Sequence, residues 1–336
     1  MNTLLSIRDL EVGFETPRGL LKAVRGVSLD IPAGQSVGIV GESGSGKTVM
    51  SRAAMGLLSG SNLRRSGQVV FDGKELTAMS PREVRDQFGT GMAMIFQDPM
   101  TALNPVRRIG SQLAEGPRVR LGMDKKAALK RSAELLSLVR IPDPEAMLRK
   151  FPYQLSGGMR QRVMIAIAIS CNPELLFADE PTTALDVTVQ AQILQLLSEL
   201  RRDLKMSMVL VTHDLGVVAN HTDFVAVMYA GEIVEQAPTA ELFANMKMPY
   251  TKALLDSIPN IEMKSGARLK VIEGRLPNPV DRPKGCGFVT RCSYAQQKCH
   301  DEHPPLVDAG SGHLYRCWYP LGQDRKSTRL NSSHIP

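Results

Sequence analysis

Gly41-Glu42-Ser43-Gly44-Ser45-Gly46-Lys47-Thr48 meets the pattern G-x-x-x-x-G-K-[ST] at every fixed position. Gln35 to Val40 before it reads as a short apolar strand, and Val49 to Leu58 after it reads as a helix. Strand, loop and helix in that order are the context a phosphate-binding loop needs. Glycines let successive N–H groups turn inward around a phosphate without Cβ clashes. The N-terminus of the following helix adds partial positive charge. Lys47 can reach the β- and γ-phosphates, and the Thr48 hydroxyl can ligate Mg²⁺. The stretch predicts a nucleoside triphosphate held by residues Gly41 to Val49.

Short strands surround the loop in the N-terminal third: Leu4 to Phe14, Ala23 to Ile31, Val37 to Val40 and Val69 to Phe71. Asp72-Gly73 signals a tight turn, and Ser80-Pro81-Arg82-Glu83 a capping box that starts a helix. Met92 to Phe96 reads as a strand, and Thr101 to about Pro152 as helical, with Ala133, Leu135, Leu136 and Val139 forming an apolar stripe. Leu175 to Ala178, Met208 to Thr212 and Phe224 to Met228 read as further strands. Between the first two, Val189 to Leu204 is an amphipathic helix. Strands alternating with helices predict an α/β fold with a mostly parallel sheet, and the early hairpin-like strands an attached antiparallel layer.

The bulk numbers agree with such a fold. The chain has 336 residues, 43% hydrophobic and 22% charged. No run of ~18 apolar residues appears, so no membrane-spanning helix is expected. The start lacks a basic region followed by an apolar block, and a cytosolic protein with reduced thiols is expected. A net charge of +7 suits both an anionic membrane surface and nucleic acid. Beyond residue 258, Pro259, Pro277, Pro279 and Pro283 punctuate a loop-rich stretch, read as a small module over 259–321. Residues 322–336 end in a polar, aperiodic run read as a disordered tail.

Four more motifs follow the phosphate loop. Phe96-Gln97-Asp98-Pro99 ends a strand. Leu155-Ser156-Gly157-Gly158-Met159-Arg160-Gln161 opens a helix. Leu175 to Glu180 is an apolar strand ending in two carboxylates, and Thr212-His213-Asp214 follows the next strand. Asp179 can hold Mg²⁺ beside the loop. Glu180 can polarise the attacking water as general base. Gln97 can orient that water and sense the γ-phosphate and metal, and His213 can donate to the γ-phosphate in the transition state. Ser156 with the Gly157 and Gly158 amides makes a second anion site at a helix N-terminus. One nucleotide does not need two such sites unless the second serves a partner's nucleotide.

In this order the motifs resemble the nucleotide-binding subunits of ABC transporters. Residues 41–48 resemble Walker A, 155–161 the signature motif, 175–180 Walker B, 183–186 the D-loop with Asp186, and His213 the switch histidine. Phe14 sits where the family's adenine-stacking aromatic lies. Met159 stands where many members carry Gln, at a position without phosphate contacts. The resemblance implies a RecA-like P-loop NTPase core with an antiparallel β subdomain and a helical subdomain at about 100–160. It also implies a head-to-tail dimer, each ATP lying between Walker A of one subunit and the signature of the other.

The strings Met94 to Pro105, Ala178 to Thr188 and Pro249 to Leu255 are most similar to the dipeptide/oligopeptide importer ATPases, over roughly residues 3–321. Members of that group carry dipeptides, oligopeptides, nickel or glutathione. The resemblance implies a second ATPase subunit, two permeases and, indirectly, a solute-binding protein, at the cytoplasmic face of the inner membrane. Cys286, Cys292, Cys299 and Cys317 lie within 32 residues, a density that in the cytosol points to a metal or iron–sulfur site rather than disulfides. Zinc knuckles of the C-x₂₋₄-C kind are absent, although His300 and His303 could serve zinc. The resemblance favours a [4Fe–4S] cluster on the four cysteines; zinc and unliganded thiols remain alternatives. The basic charge and the cysteines also leave open a nucleic-acid-linked ABC ATPase. Against it stand the single ATPase domain and the lack of coiled-coil insertions. A subunit that binds ATP without hydrolysing it is disfavoured by Glu180 and His213.

Overall fold

The computed structural model describes residues 2–183, 185–258 and 272–322. Ala184, Pro259 and the tail from 323 therefore lie outside the described residues. Among the described residues twelve strands form two sheets: β1 (Thr3–Thr16), β2 (Gly19–Pro32), β3 (Ser36–Val40), β4 (Leu63–Phe71), β5 (Lys74–Glu75), β6 (Met92–Ile95), β7 (Leu175–Asp179), β8 (Ser207–Thr212), β9 (Phe224–Tyr229), β10 (Glu232–Pro238), β11 (Val307–Asp308) and β12 (Leu314–Tyr315). The antiparallel layer expected from the early strands is a four-stranded sheet in the order β2-β1-β4-β5. β4 begins six residues earlier than its apolar run. Leu63 to Gln68 are mostly exposed and polar, so they pair with β1 without showing a buried pattern. At the Asp72-Gly73 turn both residues have positive φ (46° and 74°), as a tight two-residue hairpin requires.

The second sheet runs β11-β12-β10-β9-β3-β8-β7-β6. From β9 to β6 all pairings are parallel. Every residue of β3, β7 and β8 is buried, which explains their unbroken apolar runs: a parallel strand covered on both faces has no polar side to alternate. One face is covered by helix Lys47–Ala54 and the antiparallel sheet, the other by helices Gly157–Ala168 and Val187–Asp203. In the latter Ile193, Leu196, Leu197 and Leu200 are buried, as the period predicts.

The long helical stretch after Thr101 is five short helices: Pro99–Ala102, Ile109–Leu113, Glu115–Arg120, Lys125–Leu138 and Pro144–Arg149. Pro105, Gly122 (φ 67°) and Asp143 (φ 47°) break it. Leu135, Leu136 and Val139 are buried in this subdomain's core, and Ala133 is half-buried. The Ser80 capping box forms as read: the Ser80 N–H donates to the Glu83 carboxylate at 2.8 Å, and the Glu83 N–H to Ser80 Oγ at 3.4 Å.

β10, β11 and β12 had no apolar signature. Glu235 in β10 is fully buried, accepting from the Lys247 and Met248 N–H groups, and pairs with buried His313 at 2.9 Å. Polar residues paired inside the protein break the hydrophobic pattern by which strands are read. β12 pairs with Glu235 and Gln236 of β10, so the C-terminal extension is stitched onto the edge of the main sheet.

Candidate functional site

The carboxyl ends of β3, β8, β7 and β6 lie side by side, and each carries one motif: the phosphate loop, His213, Asp179-Glu180 and Gln97. Ligands bind at such ends in open parallel sheets. A cleft of about 500 Å³ opens there, lined by Ser43, Gly44, Gly46, Lys47, Thr48, Val49, Gln97 and Glu180 among others. That volume suits a nucleotide-sized ligand.

Two glycines are dictated by space. A Cβ on Gly41 would stand 2.1 Å from the Met228 carbonyl oxygen, and one on Gly46 2.4 Å from that of Ala23. Gly46 also has φ 102° and caps helix Lys47–Ala54, aiming the helix N-terminus into the cleft. The Ser45 N–H donates to the Glu42 carbonyl at 3.1 Å, closing the loop on itself. Lys47 is buried, and its Nζ donates to the carbonyls of Gly41 (2.7 Å) and Glu42 (3.0 Å). Burial lowers the Lys47 pKa, the cost of keeping a cation ready where a polyanion will sit.

Thr48 Oγ1 donates to Asp179 Oδ1 at 2.9 Å. Asp179 is fully buried, and its Oδ2 has no hydrogen-bond partner. Burial raises the Asp179 pKa. A desolvated carboxylate with one free oxygen, beside a Ser/Thr hydroxyl, is a donor set that fits Mg²⁺ completed by phosphate and water oxygens. Among the described residues no group of three or more His, Cys, Asp or Glu side chains is arranged to hold a metal ion, and this includes the four cysteines Cys286, Cys292, Cys299 and Cys317, for which a metal or cluster is expected from the sequence.

Glu180 is held from three sides. Its Oε2 accepts from Gln97 Nε2 (3.0 Å) and Thr183 Oγ1 (2.9 Å), and Oε1 lies 3.6 Å from His213 Nδ1. The His213 contact is the first cause of a lowered Glu180 pKa and a raised His213 pKa. Glu180 also has φ 44°, in the left-handed region that non-glycine residues adopt uncommonly. A pH dependence follows. The imidazolium stabilises the carboxylate, so removing it lets the Glu180 pKa rise. The acid limb of kcat/KM for His213→Ala is expected at higher pH than in the wild type, because that ratio reports the free enzyme's groups. Superimposable acid limbs would show that His213 does not poise Glu180.

Other expected residues stand elsewhere. Ser156 caps helix Gly157–Ala168, accepting from the Met159 N–H at 3.4 Å. Asp186 caps helix Val187–Asp203 through the Val189 N–H at 2.9 Å. The two helices approach closely: a Cβ on Gly158 would meet Val189 at 2.9 Å. Ser156, Gly157, Gly158 and Asp186 do not line the cleft. Phe14 is half-buried against the core of the antiparallel layer, and it too is not a lining residue.

Sequence reasoning missed the cleft's other wall. Leu276, Pro277, Asn278, Pro279 and Arg282 of the extension line it, and Arg25 donates to the Pro279 carbonyl at 2.7 Å. It also missed Arg291, whose guanidinium grips Glu42 through two bonds of 2.6 and 2.8 Å. The one available signal was an arginine beside Cys292 in the cysteine-bearing stretch.

Cys286, Cys292, Cys299 and Cys317 all line one small cavity of about 20 Å³. All are free thiols. Burial pushes the Cys286 thiol up to about 11 and the Cys317 thiol up to about 12, and raises Cys292. Neither His300 nor His303 lines that cavity, and His303 pairs with Glu232 at 3.1 Å.

Residues 24–183 match the ABC transporter family, and 234–299 the oligopeptide/dipeptide transporter C-terminal region. The chain is 46% identical over 319 residues to the dipeptide transport ATP-binding protein DppD of Bacillus subtilis, covering 95% of each. It is 45% identical over 320 residues to the oligopeptide transport ATP-binding protein OppD of Salmonella typhimurium, again covering 95% of each. Among solved structures it resembles a dimeric ATP-binding cassette in a post-hydrolysis state bound to ADP and Pi. There the TM-score is 0.63 at 26% identity, over 70% of this chain and 98% of that one.

Proposed function

This chain belongs to the ATP-binding subunits of the oligopeptide/dipeptide ABC transporters, and from that premise we propose that it is one half of a head-to-tail ATPase pair that drives peptide import. Such subunits are ATPases, and this one energises the transport of dipeptides or oligopeptides. The observation that carries the paired reading is a division of labour. The cleft gathers the phosphate loop, Gln97 and Glu180, while the second anion site at Ser156 to Gly158 is not part of it. A copy or a related subunit facing the cleft would bring its own Ser156-type helix N-terminus to the γ-phosphate.

On this reading the loop amides and Lys47 hold the β- and γ-phosphates. Thr48 and Asp179 would hold Mg²⁺, with Gln97 beside it; the ion supplies charge neutralisation of the phosphate oxygens. Glu180 takes the proton of the attacking water, and Gln97 and Thr183 fix the direction in which its carboxylate points. His213 donates to the developing charge on the γ-phosphate. Asp186 lies at the pair's interface. Closure would pull on two permease subunits at the cytoplasmic face of the membrane, with a solute-binding protein delivering the peptide from the other side. No helix of the described residues is long and apolar enough to cross a membrane, in keeping with a peripheral subunit.

The test is transport itself. In vesicles holding the assembled complex, peptide uptake is expected to require ATP and this subunit, and peptide with its binding protein is expected to speed ATP turnover. Turnover indifferent to permeases and peptide, together with salt-dependent RNA or DNA binding, would favour the nucleic-acid-linked alternative.

For the four cysteines we infer a [4Fe–4S] cluster on the strength of the family resemblance alone, since the four thiols as placed here are not arranged to hold a metal ion and their cavity of about 20 Å³ would have to open to admit one. The cluster would supply cross-linking bonds that staple a module too small to build its own core. Anaerobically prepared protein is expected to be brown from sulfur-to-iron charge transfer and to lose the colour in Cys317→Ser. A colourless protein carrying zinc, or no metal at all, would overturn this.

A further inference from the structure

Arg291 joins the extension to the phosphate loop. Its guanidinium is almost wholly buried, with 3% of the side chain exposed, and makes a bidentate pair with the Glu42 carboxylate. It is held in place by its remaining donors. Nε donates to the Glu273 carbonyl at 2.9 Å, and Nη2 to that of Ile272 at 3.1 Å. Nη1 reaches the Tyr229 hydroxyl at 3.3 Å, and the guanidinium lies over the Tyr229 and Phe288 rings at 5.9 Å. A fork with this many fixed contacts cannot swing away from its carboxylate.

Glu42 is the loop residue through which that rigidity reaches the ligand. Its N–H donates to the Tyr250 hydroxyl at 3.0 Å, and its carbonyl accepts from Lys47 Nζ at 3.0 Å and from the Ser45 N–H at 3.1 Å. The side chain is thus anchored by the extension, while the backbone of the same residue holds the Lys47 ammonium and closes the loop on the Ser45 N–H. The Tyr250 anchor is fully buried and packs edge-on to Tyr229 at 4.6 Å.

We propose that Arg291 is a positioning residue of the nucleotide site: by clamping Glu42 it sets the phosphate loop in its binding shape, so the cysteine-bearing extension tunes ATP affinity. This rests on the reading of the cleft as the ATP site. Arg291 does not line the cleft, so its effect would pass through Glu42.

The experiment is a double-mutant cycle in the full chain, with ATP binding measured by a fluorescent ATP analogue and by steady-state kinetics. Arg291→Gln and Glu42→Gln are each expected to weaken ATP by roughly tenfold, as loss of a charged hydrogen-bonded pair should. The loss should fall on KM more than on kcat. The double variant should be no weaker than either single one, since one contact is lost in all three. Arg291→Lys, which keeps the charge but not the fork, should recover only part of the affinity. If Arg291→Gln fails to fold, Glu42→Gln still decides, because it leaves the contacts of Arg291 with Tyr229, Ile272 and Glu273 intact. Affinity within twofold of wild type in Glu42→Gln, or effects of the two variants that add, would overturn the proposal. A wild-type protein that binds no ATP would instead overturn the reading of the cleft.

Discussion

Glu180→Gln is expected to keep ATP bound while kcat falls by about 10²–10⁴, the usual contribution of a positioned general base. The geometry explains why the two effects separate. The Glu180 oxygen that accepts from Gln97 and Thr183 is preserved by an amide oxygen. The left-handed backbone at this residue is unchanged by an isosteric side chain. Only the basic oxygen facing His213 is lost. With binding intact and hydrolysis blocked, the closed pair should accumulate, visible by light scattering as a Mg·ATP-dependent rise in mass to that of a dimer, of this chain alone if the partner is a copy or of this chain mixed with the related subunit if it is not. Turnover at the wild-type rate would remove Glu180 from its role as base.

Lys47→Ala is expected to weaken ATP binding by about 10²-fold or more, since two or more charge-assisted hydrogen bonds to phosphate disappear together. The loss is also one of preorganisation. The ammonium is held by the Gly41 and Glu42 carbonyls beside the cleft that Lys47 lines. Without it those carbonyls face the incoming polyanion with no cation between them. Equilibrium binding of the fluorescent analogue checks this, and undiminished affinity would mean that the loop amides alone hold the nucleotide.

The convergence of the phosphate loop, Gln97 and Glu180 on one cleft was legible because the signals for it are local. Gly41 and Gly46 are spaced by the backbone of one turn, and Asp179-Glu180 and His213 each follow an apolar strand that is buried on both faces and so reads plainly. Thr48 and Asp179, 131 residues apart, meet because β3 and β7 both flank β8. The motif order implied that meeting, but only through the resemblance. The contributions of the extension were not legible. Arg291 reaches Glu42 across 249 residues, and its place beside Cys292 does not by itself distinguish it from a solvated arginine. Glu235 and His313 hid β10 and β12 for the same reason: a charge satisfied by a distant partner looks, along the chain, like surface.

Composition and spacing determine the phosphate loop, the parallel strands behind it and the carboxylates at their ends, because glycine geometry and unbroken burial act over a few consecutive residues. The tertiary structure decides the rest. It lays the residue 276–282 segment against the cleft, clamps the loop from outside through Arg291, brings four cysteines to one cavity, and leaves Ser156 out of the pocket that its own chain builds. Those are pairings between groups far apart in sequence, and their free energy exists only once the sheet has brought the partners within hydrogen-bonding distance.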